Sequence, residues 1–357
     1  MNSRLSSVDD SKLQALQGKV IGDVAGALGL ILAYMGDRLD LYSALAELGR
    51  ATSADLAAST GLNERYVREW LSGNAAAGYI EYEAESERFC LTPEQEVIFA
   101  AEGHPHCMQG FFQAVVSSYL DEPKVTEVFR SGEGLPWSDH NGCLFCGTER
   151  FFRPMYAANL VDVWIPALDG VRARLEEGIK VADIGCGHGS STIIMAKAFP
   201  NSTFHGFDFH APSIEHARER AQAAGVSRNT IFEIVKAKES PGKGYGLVCI
   251  FDALHDMGDP VGAAAHILSS LDEDGTFMLV EPAAGDSLTE NLHPLGAIYY
   301  AFSTMICTPA SMAQEVGLGL GAQAGQKRLT QVLNEAGFTR VRRVAETPTN
   351  MVLEARR

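Results

Sequence analysis

The densest chemistry in this sequence lies between Val181 and Ser191, where an apolar run ends in Asp183-Ile184-Gly185-Cys186-Gly187-His188-Gly189. Glycines at a strand-to-helix turn let the backbone approach a ligand closely, a device shared by several nucleotide cofactors. Two features narrow the ligand. The dinucleotide fingerprint has its last glycine one residue later and needs room for a pyrophosphate beside the helix start, and the acidic Asp183 repels phosphate. A carboxylate there favours a ligand with a positive sulfonium and an α-amino group, which is the make-up of S-adenosylmethionine (SAM). The next apolar run ends in Gly206-Phe207-Asp208, 19 residues beyond Gly189. Asp208 is expected to take both ribose hydroxyls, with Phe209 lying on the adenine.

A second group of residues suits the acceptor. Methyl transfer from a sulfonium is an in-line displacement in which positioning supplies much of the rate, and an alcohol or phenol acceptor gains from a base. His255, within Leu254-His255-Asp256-Met257, follows a strand where such a base is reachable. Phe151, Phe152, Tyr156, Tyr299, Tyr300 and Phe302, with Ser303 next to them, can form an aromatic enclosure. The same spacings also fit helix core. Arg153 can hold a carboxylate of acceptor or cofactor, or form a surface ion pair. Six soft ligands, His104, His106, Cys107, His140, Cys143 and Cys146, fall within 43 residues. One Cys-x-x-Cys is half a zinc site, and no second pair stands at a recognised spacing, so no metal is expected.

The elements that must position these groups follow from periodicity. Residues 12–34 and 39–48 carry apolar positions at helical spacing. Ser53 is expected to cap a short helix ending near Ser59, Thr60 and Gly61 make a turn, and Asn63 caps a second helix to Ala77. Ile80, Tyr82, Phe89 and Leu91 flank the acidic stretch 83–87 as a hairpin wing. Residues 37–101 therefore resemble a winged helix. Residues 103–148 look less regular, and 149–175 read as one aromatic-rich helix. From Lys180 apolar strands alternate with amphipathic helices, the signature of a doubly wound parallel α/β sheet, and 339–344 with 350–355 suggest an antiparallel pair at its end. The expected division is an N-terminal helical and winged-helix domain (1–102), a helical linker contributing to the site (103–177) and a cofactor-binding domain (178–357), with 292–320 inserted as a cover.

At this point the chain resembles the class I SAM-dependent methyltransferases, over all of 180–357 in element order. The resemblance implies a Rossmann-like seven-stranded methyltransferase sheet. The preceding winged helix narrows it to the branch of small-molecule O-methyltransferases in which that domain commonly makes a homodimer. Phe151-Phe-Arg-Pro-Met-Tyr156, the run from Phe251 to Pro260 and Cys307-Thr-Pro-Ala-Ser-Met-Ala-Gln-Glu-Val-Gly317 suggest a little-characterised bacterial branch with the same layout. It implies that one of Ala237, Lys238 and Glu239 frames the adenine and that Phe251 and Asp252 lie by the methionine part. Plant-type O-methyltransferases use the His of a His-Asp-Trp motif as base, so His255 and Asp256 inherit that expectation although Met257 replaces the tryptophan. Glu281 matches the carboxylate that orients the base. The family's further acidic partner has no counterpart, since Gln323 and Gln326 stand nearby.

Composition sets the outer limits. A formal charge of −16 disfavours nucleic acid and membrane surfaces as partners. Within 51–90 seven acids face only Arg65, Arg68 and Arg88, which favours packing or dimerisation over DNA binding. The apolar stretch from Val24 to Gly36 is too short to cross a bilayer, and seven scattered cysteines suit reduced thiols and a cytoplasmic location. The reading is therefore methyl transfer to oxygen of a small molecule. Nitrogen or sulfur acceptors, a SAM-responsive DNA-binding regulator and a nicotinamide oxidoreductase are its competitors.

Overall fold

Capping residues set the helices of the first part of the chain. The computed structural model describes residues 8–357, and the chain parts into two compact units between Val116 and Ser117. In the first unit Asp9 caps α1 (Asp10–Arg38), followed by α2 (Leu41–Leu48) and the short β1 (Arg50–Ala51). The next helix, α3 (Ser53–Thr60), is capped by Thr52 in a reciprocal capping box with Asp55, so the cap falls one residue before the expected Ser53. Asn63 caps α4 (Glu64–Ala76) as expected. Strands β2 (Glu81–Glu83) and β3 (Arg88–Cys90) form the wing, joined by β1 in the order β1-β3-β2, and α5 (Pro93–Phe99) follows. Tyr42, Leu45, Leu56, Leu71 and Ile80 are the centre of this unit's core. Gly36 is needed there, because a Cβ would lie 2.4 Å from the Trp70 ring. Helix α1 is long and apolar enough, by length and composition, to cross a membrane. Its Leu13, Leu16, Val20, Val24, Leu28 and Met35 are exposed.

The division between units falls inside α6 (Gln109–Ser131), a 23-residue helix where the sequence suggested an irregular connector. Pro123 sits inside it and masked the helical period. Helix α7 (Gly142–Asn159) starts earlier than expected, capped by Asn141, and gives way to a π-helical turn at Leu160–Trp164. The expected single helix 149–175 is thus broken, with α8 (Ile165–Ala167), Gly170 at φ +69° and α9 (Val171–Glu177) completing it.

The sheet of the second unit follows the expected alternation: β4 (Lys180–Ile184), α10 (Ser190–Ala198), β5 (Thr203–Asp208), α11 (Ala211–Ala223), β6 (Thr230–Ile234), β7 (Tyr245–Phe251), α12 (Pro260–Ser270) and β8 (Leu271–Pro282). Then come α13 (Pro294–Phe302), α14 (Thr308–Met312), α15 (Gly325–Glu335), β9 (Arg340–Glu346) and β10 (Asn350–Arg356). Seven strands lie in the order β6-β5-β4-β7-β8-β10-β9. Only β10 is reversed in direction, antiparallel to both β8 and β9. Alternate residues serve the two faces, as a sheet covered on both sides requires. Leu247, Cys249 and Phe251 pack under α9 and α10, whereas Val248 and Ile250 pack against α12 and α15. Strand order reverses between β4 and β7, and a crevice is expected beyond their C-terminal ends.

Candidate active site

A cavity of about 510 Å³ opens at that reversal. Its floor is the glycine loop after β4, where Gly185, Gly187 and Gly189 all take positive φ, at +73°, +51° and +75°. Other residues are strained in that region. A Cβ on Gly189 would also come within 2.8 Å of the Phe232 ring, so the loop is held close to the sheet. Asp208, ending β5, ties the loop down: one carboxylate oxygen accepts from Gly187 N at 2.9 Å and the other from His210 N at 2.8 Å. Burial pushes its carboxyl up, against those backbone hydrogen bonds.

Asp183 lies behind the loop rather than in the cavity wall. Its Oδ2 accepts from Ser191 Oγ and Thr192 Oγ1, both at 2.6 Å, which fixes the start of α10. Its Oδ1 is buried without a hydrogen-bond partner, and burial lifts the carboxyl to about 6 against the bonds from Ser191 and Thr192. A buried acceptor with spare capacity suits a cationic ligand. Together with the anchored Asp208 and the glycine floor, it fits SAM: Asp208 would hold the ribose, Phe209, Ala237 and Lys238 would border the adenine, and Asp183 would supply negative charge below the amino acid part. Phe209, Ala237, Lys238 and Glu239 line the cavity, and Lys238 is paired with Asp259 at 2.9 Å.

At the other end β7 delivers Phe251 and Asp252 to the wall. Asp252 has φ +49°, and its oxygens are held by Asn350 Nδ2 at 2.6 Å and Tyr156 Oη at 3.3 Å. Burial and the nearby Glu281 charge raise its carboxyl to about 7. Phe152 stacks on Tyr156 at 5.7 Å between centroids, and both face the cavity with Trp137, Phe145 and Met257.

His255 sits in a 3₁₀ turn, Leu254–Asp256, directly after β7. It is 4% exposed. Its Nδ1 is hydrogen-bonded to Glu281 Oε2, and Glu281 Oε1 accepts from Leu254 N at 3.0 Å, so one carboxylate from β8 holds both the ring and its backbone turn. When the ring is neutral, Nδ1–H donates to Glu281 and Nε2 carries the lone pair. It lies 3.3 Å from Asp256 Oδ1, and Asp256 reaches the cavity wall. Burial alone would favour the neutral ring, but the Glu281 and Asp256 charges outweigh it and hold the imidazolium well above the ordinary histidine range.

The structure therefore brings most of the expected residues to one cavity. Gly185, Gly187, Asp208, Phe209, Ala237, Lys238, Phe251, Asp252, Asp256, Phe152 and Tyr156 line it, while Asp183, Gly189, His255 and Glu281 stand directly behind. Four others neither line it nor stand directly behind it. Arg153 pairs with Glu149 at 3.0 Å, and Glu149 also takes Arg220 and Ser190 Oγ at 2.7 Å each. Tyr299 is buried in a small cluster with Leu144 and Ile306 and donates to Thr349 O at 2.8 Å. Tyr300 is half-buried on the same helix, and Ser303 pairs with Thr308 Oγ1 at 3.2 Å. The segment 292–320 reaches the cavity by its far end instead, through Ala310, Ala313, Gln314 and Glu315. Phe145 and Glu149 escaped the sequence reading because α7 begins among cysteines and carries its apolar face unannounced, and Trp137 because it lies in a short 3₁₀ turn, Trp137–Asp139, ahead of that helix.

Comparison with known proteins bears on the fold and the domains. Residues 175–337 match the family described as methyltransferase domain, and residues 26–100 match the Rv2258c-like winged HTH domain. Alignments to curated relatives are partial, spanning 19%, 72% and 43% of their lengths. One is the 27-O-demethylrifamycin SV methyltransferase of Amycolatopsis mediterranei, 32% identical over 118 residues, which are 31% of this chain and 43% of that protein. Among solved structures, a putative O-methyltransferase of Nostoc punctiforme superposes with a TM-score of 0.74 at 19% identity, covering 96% of this chain and 98% of that one. Human N-acetylserotonin methyltransferase in complex with SAM gives 0.67 at 17%, covering 100% and 99%. With the glycine loop, Asp208 and strand order of its second unit, the chain carries a methyltransferase domain over residues 175–337, preceded in sequence by a winged helix-turn-helix domain over 26–100, and the residues of the cavity fit S-adenosylmethionine.

Proposed function

We infer that this protein methylates a hydroxyl group of a small molecule, with His255 as general base. The observation that carries the reading is the Glu281 clamp, which takes Nδ1 of His255 and leaves Nε2 on the side of Asp256, a residue of the cavity wall. Bound there, SAM would supply an electrophilic methyl from its positive sulfonium with the carbon–sulfur electron pair left on sulfur, and His255 Nε2 would take the proton of the acceptor hydroxyl. Glu281 stabilises the resulting imidazolium. His255 gives up its resting proton more readily once a cation occupies the cavity.

The walls favour a flat, largely apolar acceptor, since Trp137, Phe145, Phe152 and Met257 surround the open space. Two similar proteins bear names of the same kind, the demethylrifamycin methyltransferase and the putative O-methyltransferase. Nucleic acid is not the proposed partner: Arg65, Arg68 and Arg88 of the winged helix are each paired with a carboxylate, Glu69, Glu64 and Asp55. A homodimer through α1 would cover its exposed apolar positions, which recur every three or four residues. All seven cysteines are free, in keeping with a cytoplasmic location. A screen of phenols, aliphatic alcohols, thiols and amines, reading S-adenosylhomocysteine, tests the proposal. Turnover with phenols or alcohols supports it, and turnover confined to thiols or amines rejects it.

A further inference from the structure

The base His255 has neighbours that proton transfer does not require. Its Nε2, a carboxylate oxygen of Asp256 and the Sγ of Cys307 all lie within 4.8 Å of one another, with His255 and Cys307 buried. Among the described residues this is the group of three such ligands that converges, and none of the six soft ligands between His104 and Cys146 belongs to it. Cysteine spacing could not reveal it, because Cys307 lies 51 residues beyond Asp256.

Three observations point to a cation. First, His255 Nε2 and Asp256 Oδ1 are 3.3 Å apart, and the Cys307 thiol is hydrogen-bonded to both side chains. Ligands of a tetrahedral zinc ion stand about 3.3 to 3.8 Å apart, given bonds of about 2.0 to 2.3 Å. Second, the outer nitrogen of His255 is held by Glu281, the carboxylate–histidine arrangement that orients metal-binding imidazoles. Third, His140 repeats that arrangement close by. It is buried, its Nδ1 pairs with Asp121 at 3.2 Å, its Nε2 has no partner, and its ring interacts electrostatically with Asp256.

We propose that His255 Nε2, the Asp256 carboxylate and the Cys307 thiolate form a binding site for a zinc-class divalent cation at the edge of the cavity. A water molecule is available for the fourth position. The Cys307 proton leaves to solvent on binding. This inference goes beyond the proposed function, because an ion on Nε2 takes the lone pair that accepts the acceptor's proton. Loading the site switches hydroxyl methylation off.

The full-length protein, stripped with a chelator, is titrated with Co²⁺ and then Zn²⁺. The expected result is one equivalent of cobalt per chain with a thiolate-to-cobalt band in the near ultraviolet, displaced by zinc. Cys307→Ser removes that band, and Asp256→Asn weakens binding tenfold or more, with folding checked by circular dichroism. No band, or a band that survives Cys307→Ser, overturns the site. The base reading is judged separately on the stripped protein, where His255→Ala must lose turnover whether or not cobalt binds.

Discussion

The cofactor end and the acceptor end of the cavity are held by different means. At the cofactor end, a continuous stretch from Asp183 to Asp208 supplies the floor, and main-chain N–H groups of Gly187 and His210 grip one carboxylate. At the acceptor end, side chains arrive from four separate stretches, around Trp137 to Tyr156, Phe251 to Met257, Glu281, and Ala310 to Glu315. The first end is built by local backbone geometry, which few residue types can adopt. The second is built by packing, which many combinations satisfy. The same sheet can thus keep one cofactor while changing acceptors.

The largest expected contrast is chemical. His255→Ala should lower kcat for a hydroxyl acceptor by about 10² to 10⁴, while SAM affinity by calorimetry stays within about threefold. Equal losses in both would show that the two ends are not separable. Asp208→Ala should do the reverse, weakening SAM binding about 10- to 100-fold through lost charge-assisted hydrogen bonds and leaving the pH profile of the remaining turnover in place.

A third contrast uses pH. Because the imidazolium of His255 is held well above the ordinary range, kcat should rise with pH through that raised value as the ring becomes a competent base. Stability runs the opposite way. The charged ring's contribution is complete below the ordinary histidine value and is lost as pH climbs through the raised one. Glu281→Gln should move the half-maximal pH of turnover down by about one unit or more, and an unmoved profile would separate Glu281 from the base. The smallest effect is steric. Met257→Trp, on the cavity wall, should change acceptor KM by about three- to tenfold, with SAM affinity unchanged.

The same difference decides what could be read from the sequence. The strands from Lys180 onward were legible to within a residue or two at most ends because apolar runs and glycine turns repeat. The glycine loop and Asp208 were legible for the same local reason. His255 and Glu281 could be paired only through a family resemblance, as they are 26 residues apart. Helix α6 was hidden by its internal proline. Tyr299, Tyr300 and Ser303 have the composition of a pocket wall, but which face of a helix meets the cavity depends on how α13 lies, and the turn of chain beyond it reaches the wall instead.

The Glu281 clamp also has a consequence for the order of assembly. Glu281 lies on β8, one residue past Val280, which stands opposite Phe251 of β7. The base can be oriented only after those two strands have joined, and a slip of one position turns the carboxylate to the opposite face of the sheet. During refolding, recovery of methyl transfer should therefore trail the burial of β7, which makes turnover a reporter of correct strand alignment at the centre of the protein.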